Sequence, residues 1–248
     1  MSKIAVAGAT GRVGRHIVDV LEADGHEVVA MARATGVDVV SGDGLAEALA
    51  GADTIIDAAT PPTPQGAEEF FTASVRNLHS VGEAAGVRRI VVVSIIGIDK
   101  FPNGGYNAAK LAQERTHEAG PIPVRILRAA QFHEFVPQLM DWGRQGDVAR
   151  VPRMRTQLVA AHSVAEALAS LATAPDAPAL GEIAGPREES LAAVATLLAT
   201  RSGNGVRVEE VNDPSNPDSA LYESGALLPN PGATLAGPTF EEWLNGAA

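Results

Sequence analysis

Three glycines at a fixed spacing constrain this chain more than any other feature: Ile4-Ala5-Val6-Ala7-Gly8-Ala9-Thr10-Gly11-Arg12-Val13-Gly14. Ile4 to Ala7 is a run of small and β-branched apolar residues, which predicts a buried strand. From Arg12 to Ala23 the apolar positions recur at helical spacing, so the glycines fall on a strand-to-helix turn. A turn this tight needs residues without a Cβ, and bare backbone lets a pyrophosphate approach main-chain amides. The first N–H groups of a helix lack intrahelical partners and carry its positive pole, so the negative group is received there. A glycine-rich turn that binds nothing is the alternative. Its place between strand and helix favours the dinucleotide reading.

Composition narrows the function classes. With 248 residues and 46% hydrophobic content, the chain suffices for one large α/β domain, or one with a small appended lobe. There is no cysteine, which excludes disulfides and thiolate chemistry. A net charge of −11 and only 4% aromatic residues argue against a nucleic-acid partner, which selects for basic faces and stacking platforms. The longest apolar stretch, Ile90 to Ile98, is far too short to span a bilayer. No secretory signal precedes the first strand, so a cytoplasmic protein without a membrane partner is expected.

Glu27 to Met31 predicts a second strand, followed by Ala32-Arg33. At this place in a dinucleotide fold an acid hydrogen-bonds the ribose 2′-hydroxyl, whereas an arginine accommodates a 2′-phosphate. Arg33, with Arg12 from the glycine loop, therefore predicts NADP(H) in preference to NAD(H), since guanidinium forks match phosphate geometry. Val37 to Val40 reads as a third strand, Leu45 to Ala50 as a helix and Thr54 to Asp57 as a fourth strand. That strand runs into the small residues Ala58, Ala59 and Thr60, which suit a cofactor crevice. Glu68 to Ala85 reads as a helix stopped by Gly86, and Arg89 to Ile95 as a central strand covered on both faces. Ser94 emerges at its end, to face a nicotinamide or to cap the strand.

The second chemical signal is Tyr106-Asn-Ala-Ala-Lys110, opening a helix through Glu118 after a loop with turn residues Pro102 to Gly105. Positions i and i+4 share a helix face, so phenol and ammonium converge on one pocket. The ammonium and an oxidised nicotinamide would both lower the tyrosine pKa. Tyr106 is then the proton donor to a carbonyl, and Lys110 its electrostatic partner and a ligand of the nicotinamide ribose. Pro123 to Leu127 predicts a sixth strand.

The octet Gly8-Ala-Thr-Gly11-Arg-Val-Gly14-Arg resembles the extended and atypical short-chain dehydrogenase/reductases, and their NmrA-like branch in particular. Asn77 to Ser94 is similar to the matching helix and strand of the extended members. The resemblance implies a doubly wound parallel-sheet Rossmann fold of the α/β class with a small C-terminal α/β substrate-capping lobe. It divides the chain into a 1–132 NADP-binding core and a 133–248 lobe whose elements interleave with the core sheet. It places Gly8, Thr10, Gly11, Arg12, Val13, Gly14, Arg33, Ala58, Ala59, Thr60, Ser94 and Lys110 around the cofactor. Asp43 lies near the adenine in that pattern, or is simply a helix N-cap.

Arg128 to Phe135 resembles the loop that passes beside the nicotinamide in NmrA-like proteins, with Ala130, Gln131 and Phe132 at the carboxamide. His133 and Glu134 after it are both able to move protons, which makes His133 a catalytic candidate. Two family positions depart from the pattern: Ile96 stands where a substrate-orienting serine is usual, and Phe71 near the place of a tetrad asparagine.

The C-terminal part is less regular. Phe135 to Gln145 reads as a helix, with Met140 and Trp142 in the core or facing substrate. Arg150, Arg153 and Arg155 form a cationic cluster, read as a solvated loop or an anion site. Gln157 to Ala161 reads as a strand, and Ser163 with Glu166 as a capping box opening the next helix. Asn212 to Pro238 reads as largely loop. The histidines have no metal-ligand spacing, so no metal is expected.

The reading that follows is an NADPH-dependent reductase of a small organic carbonyl, enone or quinone. The alternatives are a catalytically silent redox-sensing regulator of NmrA type and a nicotinamide-dependent epimerase or dehydratase. The partner is a small-molecule substrate, and a homo-oligomer stays open.

Overall fold

The computed structural model describes residues 1–101, 104–212 and 216–246. The expected turn residues Pro102 and Asn103, and residues 213–215 of the C-terminal loop segment, lie outside them. In chain order the first half builds β1 Lys3–Ala7, α1 Gly14–Ala23, β2 Glu27–Met31, α2 Leu45–Leu49 and β3 Thr54–Asp57. It continues with α3 Ala67–Ala85, β4 Arg89–Ile95, α4 Gly105–Glu118 and β5 Val124–Ala129. The second half adds α5 Val136–Trp142, β6 Arg144–Gln145, β7 Val148–Pro152, β8 Arg155–Thr156, α6 Ala161–Thr173 and β9 Leu180–Ala184. Last come β10 Glu189–Ser190, α7 Leu191–Ser202, β11 Arg207–Val211, α8 Ser219–Ser224, β12 Thr234–Leu235 and α9 Phe240–Leu244.

The chain divides into two compact units: one of Met1–Ser94, Gly104–Arg128 and Val164–Gly181, the other of Ile95–Asn103, Ala129–Ser163 and Glu182–Ala248. The strands of the first unit lie in the order β5-β4-β3-β1-β2. Strand β1 pairs in parallel with β2 on one side and β3 on the other, Ile4 meeting Val28 and Thr54. The strand order reverses at β1, and open α/β sheets bind ligands at the carboxyl ends of the strands beside such a reversal. Ile4 to Ala7 and Ile90 to Val92 are fully buried, as strands covered on both faces require. Each such valine or isoleucine side chain contributes about 1.5–3 kcal/mol on burial. Helix α3 ends at Gly86 in the left-handed conformation expected there.

One expected strand is absent. Val37 and Val39 are buried, but the backbone from Val37 to Val40 turns instead of pairing. The Asp38 carboxylate accepts the N–H groups of Val40 and Ser41, and the Asn77 amide donates to the carbonyls of Val39 (3.0 Å) and Val40 (2.8 Å). Side chains thus satisfy the polar groups that a neighbouring strand would have taken.

The second unit holds a three-stranded sheet in the order β11-β7-β6, an antiparallel pair β10-β8 and a parallel pair β12-β9. Phe101, Val136, Val151, Leu191, Leu227 and Phe240 centre its core. The expected helix from Phe135 to Gln145 stops at Trp142, because Gly143 packs against the Arg150 carbonyl and the chain turns into β6. The strand expected at Gln157 to Ala161 reduces to a single bridge between Val159 and Phe132. Helix α6 starts at Ala161, so Ser163 lies inside it and the expected capping box does not form. The Glu134 carboxylate takes that place, accepting the Ala161 N–H at 3.2 Å.

Candidate functional site

Each glycine of the first turn is demanded by a close approach. Gly8 has φ +75°, and a Cβ there would sit 2.6 Å from the Ala58 carbonyl oxygen. A Cβ on Gly14 would lie 2.0 Å from the Gly8 oxygen, and one on Gly11 3.0 Å from it. The Gly8 N–H is held by the Met31 carbonyl at 3.0 Å. Helix α1 follows with Val13 at its N-cap, no side-chain cap and no acidic residue in its first turn. Its positive pole is therefore left for an anion from outside the helix.

Arg33 begins a short 3₁₀ turn after β2 and is exposed, and Arg12 in the glycine loop is half-buried. Asp43 is exposed and bonds the Ser41 hydroxyl at 2.8 Å. The N-cap of α2 is Gly44, so Asp43 does not cap that helix.

Ala58, Ala59 and Thr60 leave the carboxyl end of β3 beside Gly8. The Thr60 hydroxyl and the Tyr106 phenol share a hydrogen bond of 2.9 Å. Tyr106 is the second residue of α4, and its ring meets Phe71 edge-on at a centroid separation of 5.9 Å. Burial pushes the Tyr106 phenol up, against the Thr60 hydrogen bond, and the charge of Asp57 pushes the same way. The lowering expected from Lys110 is thus not what the protein shows: Lys110 is not among the groups that move the phenol, and the net direction is up.

Lys110 is turned inward. It is buried, and its ammonium donates to the Val93 carbonyl at 2.7 Å and to Gln113 Oε1 at 2.5 Å, with the Phe71 ring 5.0 Å away. Burial pulls its pKa to about 8, against the charges of Asp57 and Glu114. Ser94 is buried, and its Oγ has no hydrogen-bond partner. The hydroxyl therefore does not cap the strand, and it is a polar group whose partner comes from elsewhere.

A polar array beneath these residues escaped the sequence reading. Gln113 Nε2 donates to Asp57 Oδ2 at 2.9 Å, His117 Nε2 reaches the same oxygen at 3.1 Å, and His79 Nε2 lies 3.2 Å from His117 Nδ1. All four side chains are buried. The signal was present: Lys110, Gln113, Glu114 and His117 recur at helical spacing on one face of α4, a polar stripe where a core-facing helix should be apolar.

In the second unit, Gln131 to His133 run beside Gln157 to Val159 through backbone bonds between His133 and Val159 and between Val159 and Gln131. Ala130 is buried, and Phe132 forms the bridge to Val159. Gln131 Oε1 accepts from the Thr156 hydroxyl at 3.0 Å, while its Nε2 is buried without a partner. The His133 ring is fully buried against Phe240 and Trp243, with Nε2 3.1 Å from the Pro238 carbonyl. Burial pulls its pKa down, against the Pro238 carbonyl and Glu134. Those contacts pack the ring in place, its Nδ1 is buried without a hydrogen-bond partner, and Glu134 serves the helix start.

Met140 is core, and Trp142 is 60% exposed. The three arginines are engaged with carboxylates: Arg150 with Glu209 at 3.8 Å, Arg153 with Glu210 at 2.9 Å and Glu223 at 3.1 Å, Arg155 with Glu188 at 2.6 Å. They leave no cationic cluster for an anion.

The model of an NAD(P)H-binding family matches residues 8–175, from the first glycine to the end of α6. The chain belongs to this NAD(P)H-binding family. No curated protein matches it in sequence. Among solved structures, it is similar in fold to a nucleoside-diphosphate-sugar epimerase from Staphylococcus aureus (17% identity, TM-score 0.72, 98% of this chain and 99% of that one). A short-chain dehydrogenase/reductase superfamily protein from Agrobacterium tumefaciens with bound NAD is similar at 18% identity, TM-score 0.70, covering 99% and 95%. A dTDP-4-dehydrorhamnose reductase ortholog from Clostridium acetobutylicum matches at 18% identity, TM-score 0.69, covering 87% and 85%. The fold of this NAD(P)H-binding protein is therefore the Rossmann fold of the extended short-chain dehydrogenase/reductases. Among the described residues, no helix is long and apolar enough to cross a membrane.

Proposed function

We propose that this NAD(P)H-binding protein is a reductase of a small organic carbonyl, enone or quinone, using NADP(H) in preference to NAD(H). One observation carries the reading: the Tyr106 phenol is fixed by Thr60 just beyond the carboxyl end of β3, with Lys110 one helical turn behind it. The residues fit a dinucleotide. An uncapped α1, a glycine turn closed against Ala58, and the orphaned Ser94 hydroxyl each await a partner. When bound, the reduced coenzyme supplies hydride. The Gly8–Gly14 turn would hold its diphosphate, Ala58 to Thr60 and Ser94 would line its length, and Lys110 would stand near its ribose. Tyr106 gives its proton to the substrate oxygen as the carbon is reduced.

The 2′-phosphate preference rests on Arg33 after β2 and Arg12 in the glycine turn, with no acid at the strand end. Comparing dissociation constants for NADPH and NADH tests it, and tighter NADH binding would overturn it. Membership of the NmrA-like branch rests on the octet from Gly8 to Arg15 and on the likeness of Arg128 to Phe135 to the loop beside the nicotinamide.

A second reading is an epimerase or dehydratase that keeps its coenzyme, favoured by the similarity in fold to a nucleotide-sugar epimerase. The buried Ile96 and Phe71, where serine and asparagine are usual, instead favour a silent sensor. Loss of NADPH absorbance with a panel of ketones, enones and quinones separates the readings. Net oxidation by at least one substrate is expected, and its absence across the panel would refute the reductase.

A further inference from the structure

We infer that Asp57, acting through the side-chain amide of Gln113, is the positioning residue that fixes and charges Lys110. The inference deepens the reading above, in which Lys110 is the partner of Tyr106. Gln113 is wedged between an ammonium that can only donate and a carboxylate that can only accept. Its Oε1 faces Lys110 at 2.5 Å and its Nε2 faces Asp57 Oδ2 at 2.9 Å, so the amide can stand only one way round. Asp57 is held in turn by the Ala59 N–H at 3.0 Å and by His117.

The far side of the array has a direction too. The Ile122 N–H donates to His79 Nδ1 at 3.4 Å, which leaves the His79 proton on Nε2. That proton goes to His117 Nδ1, so the His117 proton sits on Nε2 and goes to Asp57. A Cβ on Gly120 would lie 2.3–2.5 Å from the His79 ring, so the ring occupies the space that only a glycine leaves open there.

Both lines of donors converge on Asp57. A carboxamide neither gains nor loses a proton near neutral pH, so nothing passes from Lys110 through Gln113. The array is an anchor and a counter-charge, not a proton wire. The other groups facing Lys110 leave Asp57 as its principal counter-charge. Phe71 and Tyr106 are uncharged, and Glu114 is bound by Arg128 through bonds of 3.0 and 2.8 Å. Burial pushes the Asp57 carboxyl up, yet the hydrogen bond from His117, the charge of Lys110 and the Ala59 amide outweigh it and hold it below the usual range. Buried charges that lose their partner move toward neutrality, so an ammonium deprived of Asp57 gives up its proton more easily.

The chain has only three lysines, Lys3, Lys100 and Lys110, so lysine-labelled protein gives three resolvable titrations by NMR. In the unmodified protein Lys110 is expected to titrate near pH 8. In Asp57→Asn its midpoint should fall by about one pH unit or more, the range that loss of a nearby opposite charge produces. Gln113→Met should move it the same way while leaving Lys3 and Lys100 in place. Should Asp57→Asn not fold, Gln113→Met decides alone. An unchanged Lys110 midpoint in the folded variants would overturn the inference. These readouts need neither coenzyme nor substrate. A failed Tyr106 turnover test would thus remove the reductase reading without touching them, and an unmoved Lys110 would remove this inference without touching Tyr106.

Discussion

The phenol of Tyr106 and the hydroxyl of Thr60 lie 2.9 Å apart, joining the start of α4 to the residue that leaves β3. The bond sets the tyrosine where a strand end and a helix start meet, and burial keeps it protonated. On the proposed mechanism, Tyr106→Phe removes the proton donor while keeping the ring against Phe71. Turnover should fall by about 10²–10⁴-fold, the usual worth of a positioned general acid, with NADPH affinity unchanged. Steady-state kinetics alongside a coenzyme titration check both halves.

Gly8 combines a left-handed backbone with contact against Ala58, so Gly8→Ala meets two penalties at once. A non-glycine residue in that conformation costs about 1–2 kcal/mol, and the crowding adds about 1–3 kcal/mol. Urea unfolding should show a loss in that combined range. Gly25→Ala, also at positive φ but with open space around its Cβ, should show only the conformational part.

The His79–His117 pair makes the fold sensitive to acid. Burial, and then the neighbouring His117, pull His79 from 6.5 to about 4. The unfolded chain therefore binds that proton first, and stability falls as pH drops from 6.5 to 4. A separation of that size corresponds to about 3 kcal/mol. Asp57 acts in the same direction at lower pH: its folded pKa is depressed, so its contribution is present above 3.8 and lost as pH falls through the folded value. Urea unfolding at pH 7 and pH 4.5 measures the slope. His79→Gln, which keeps a donor and an acceptor without the titration, should flatten it.

His133 sits among Phe240 and Trp243 with its Nε2 on the Pro238 carbonyl. His133→Leu should cost about 1 kcal/mol or more by leaving that half-buried carbonyl without its partner. The pH profile of turnover should not lose a limb. Thermal unfolding and a pH–rate series read the two effects apart.

The legible parts of the chain were those whose demands are local. The glycine turn declares itself because Gly8, Gly11 and Gly14 answer backbone contacts within a few residues of one another or at the end of β3. The buried strand Arg89–Ile95 declares itself by near-continuous hydrophobicity, and Tyr106 with Lys110 by a single helical turn. What misled or stayed hidden depended on distant partners. Val37 to Val40 has the pattern of a strand, but Asn77 supplies its hydrogen bonds from α3. That His133 packs against Phe240 and Trp243, more than a hundred residues on, is likewise invisible from its neighbours in the chain. The inward turn of Lys110 follows from Gln113 and Asp57, the latter 53 positions earlier in the chain, and no local pattern announces that pairing.

Calorimetric titration with NADPH and NADH, on the unmodified protein and on Gly14→Ala, addresses the dinucleotide site most directly. A Cβ at that position would lie 2.0 Å from the Gly8 oxygen, closing the turn against a diphosphate. The expected result is a saturable heat for the unmodified protein, tighter with NADPH, and its loss in a still-folded Gly14→Ala. No heat with either coenzyme, or equal binding by the variant, would contradict a diphosphate held at the glycine turn.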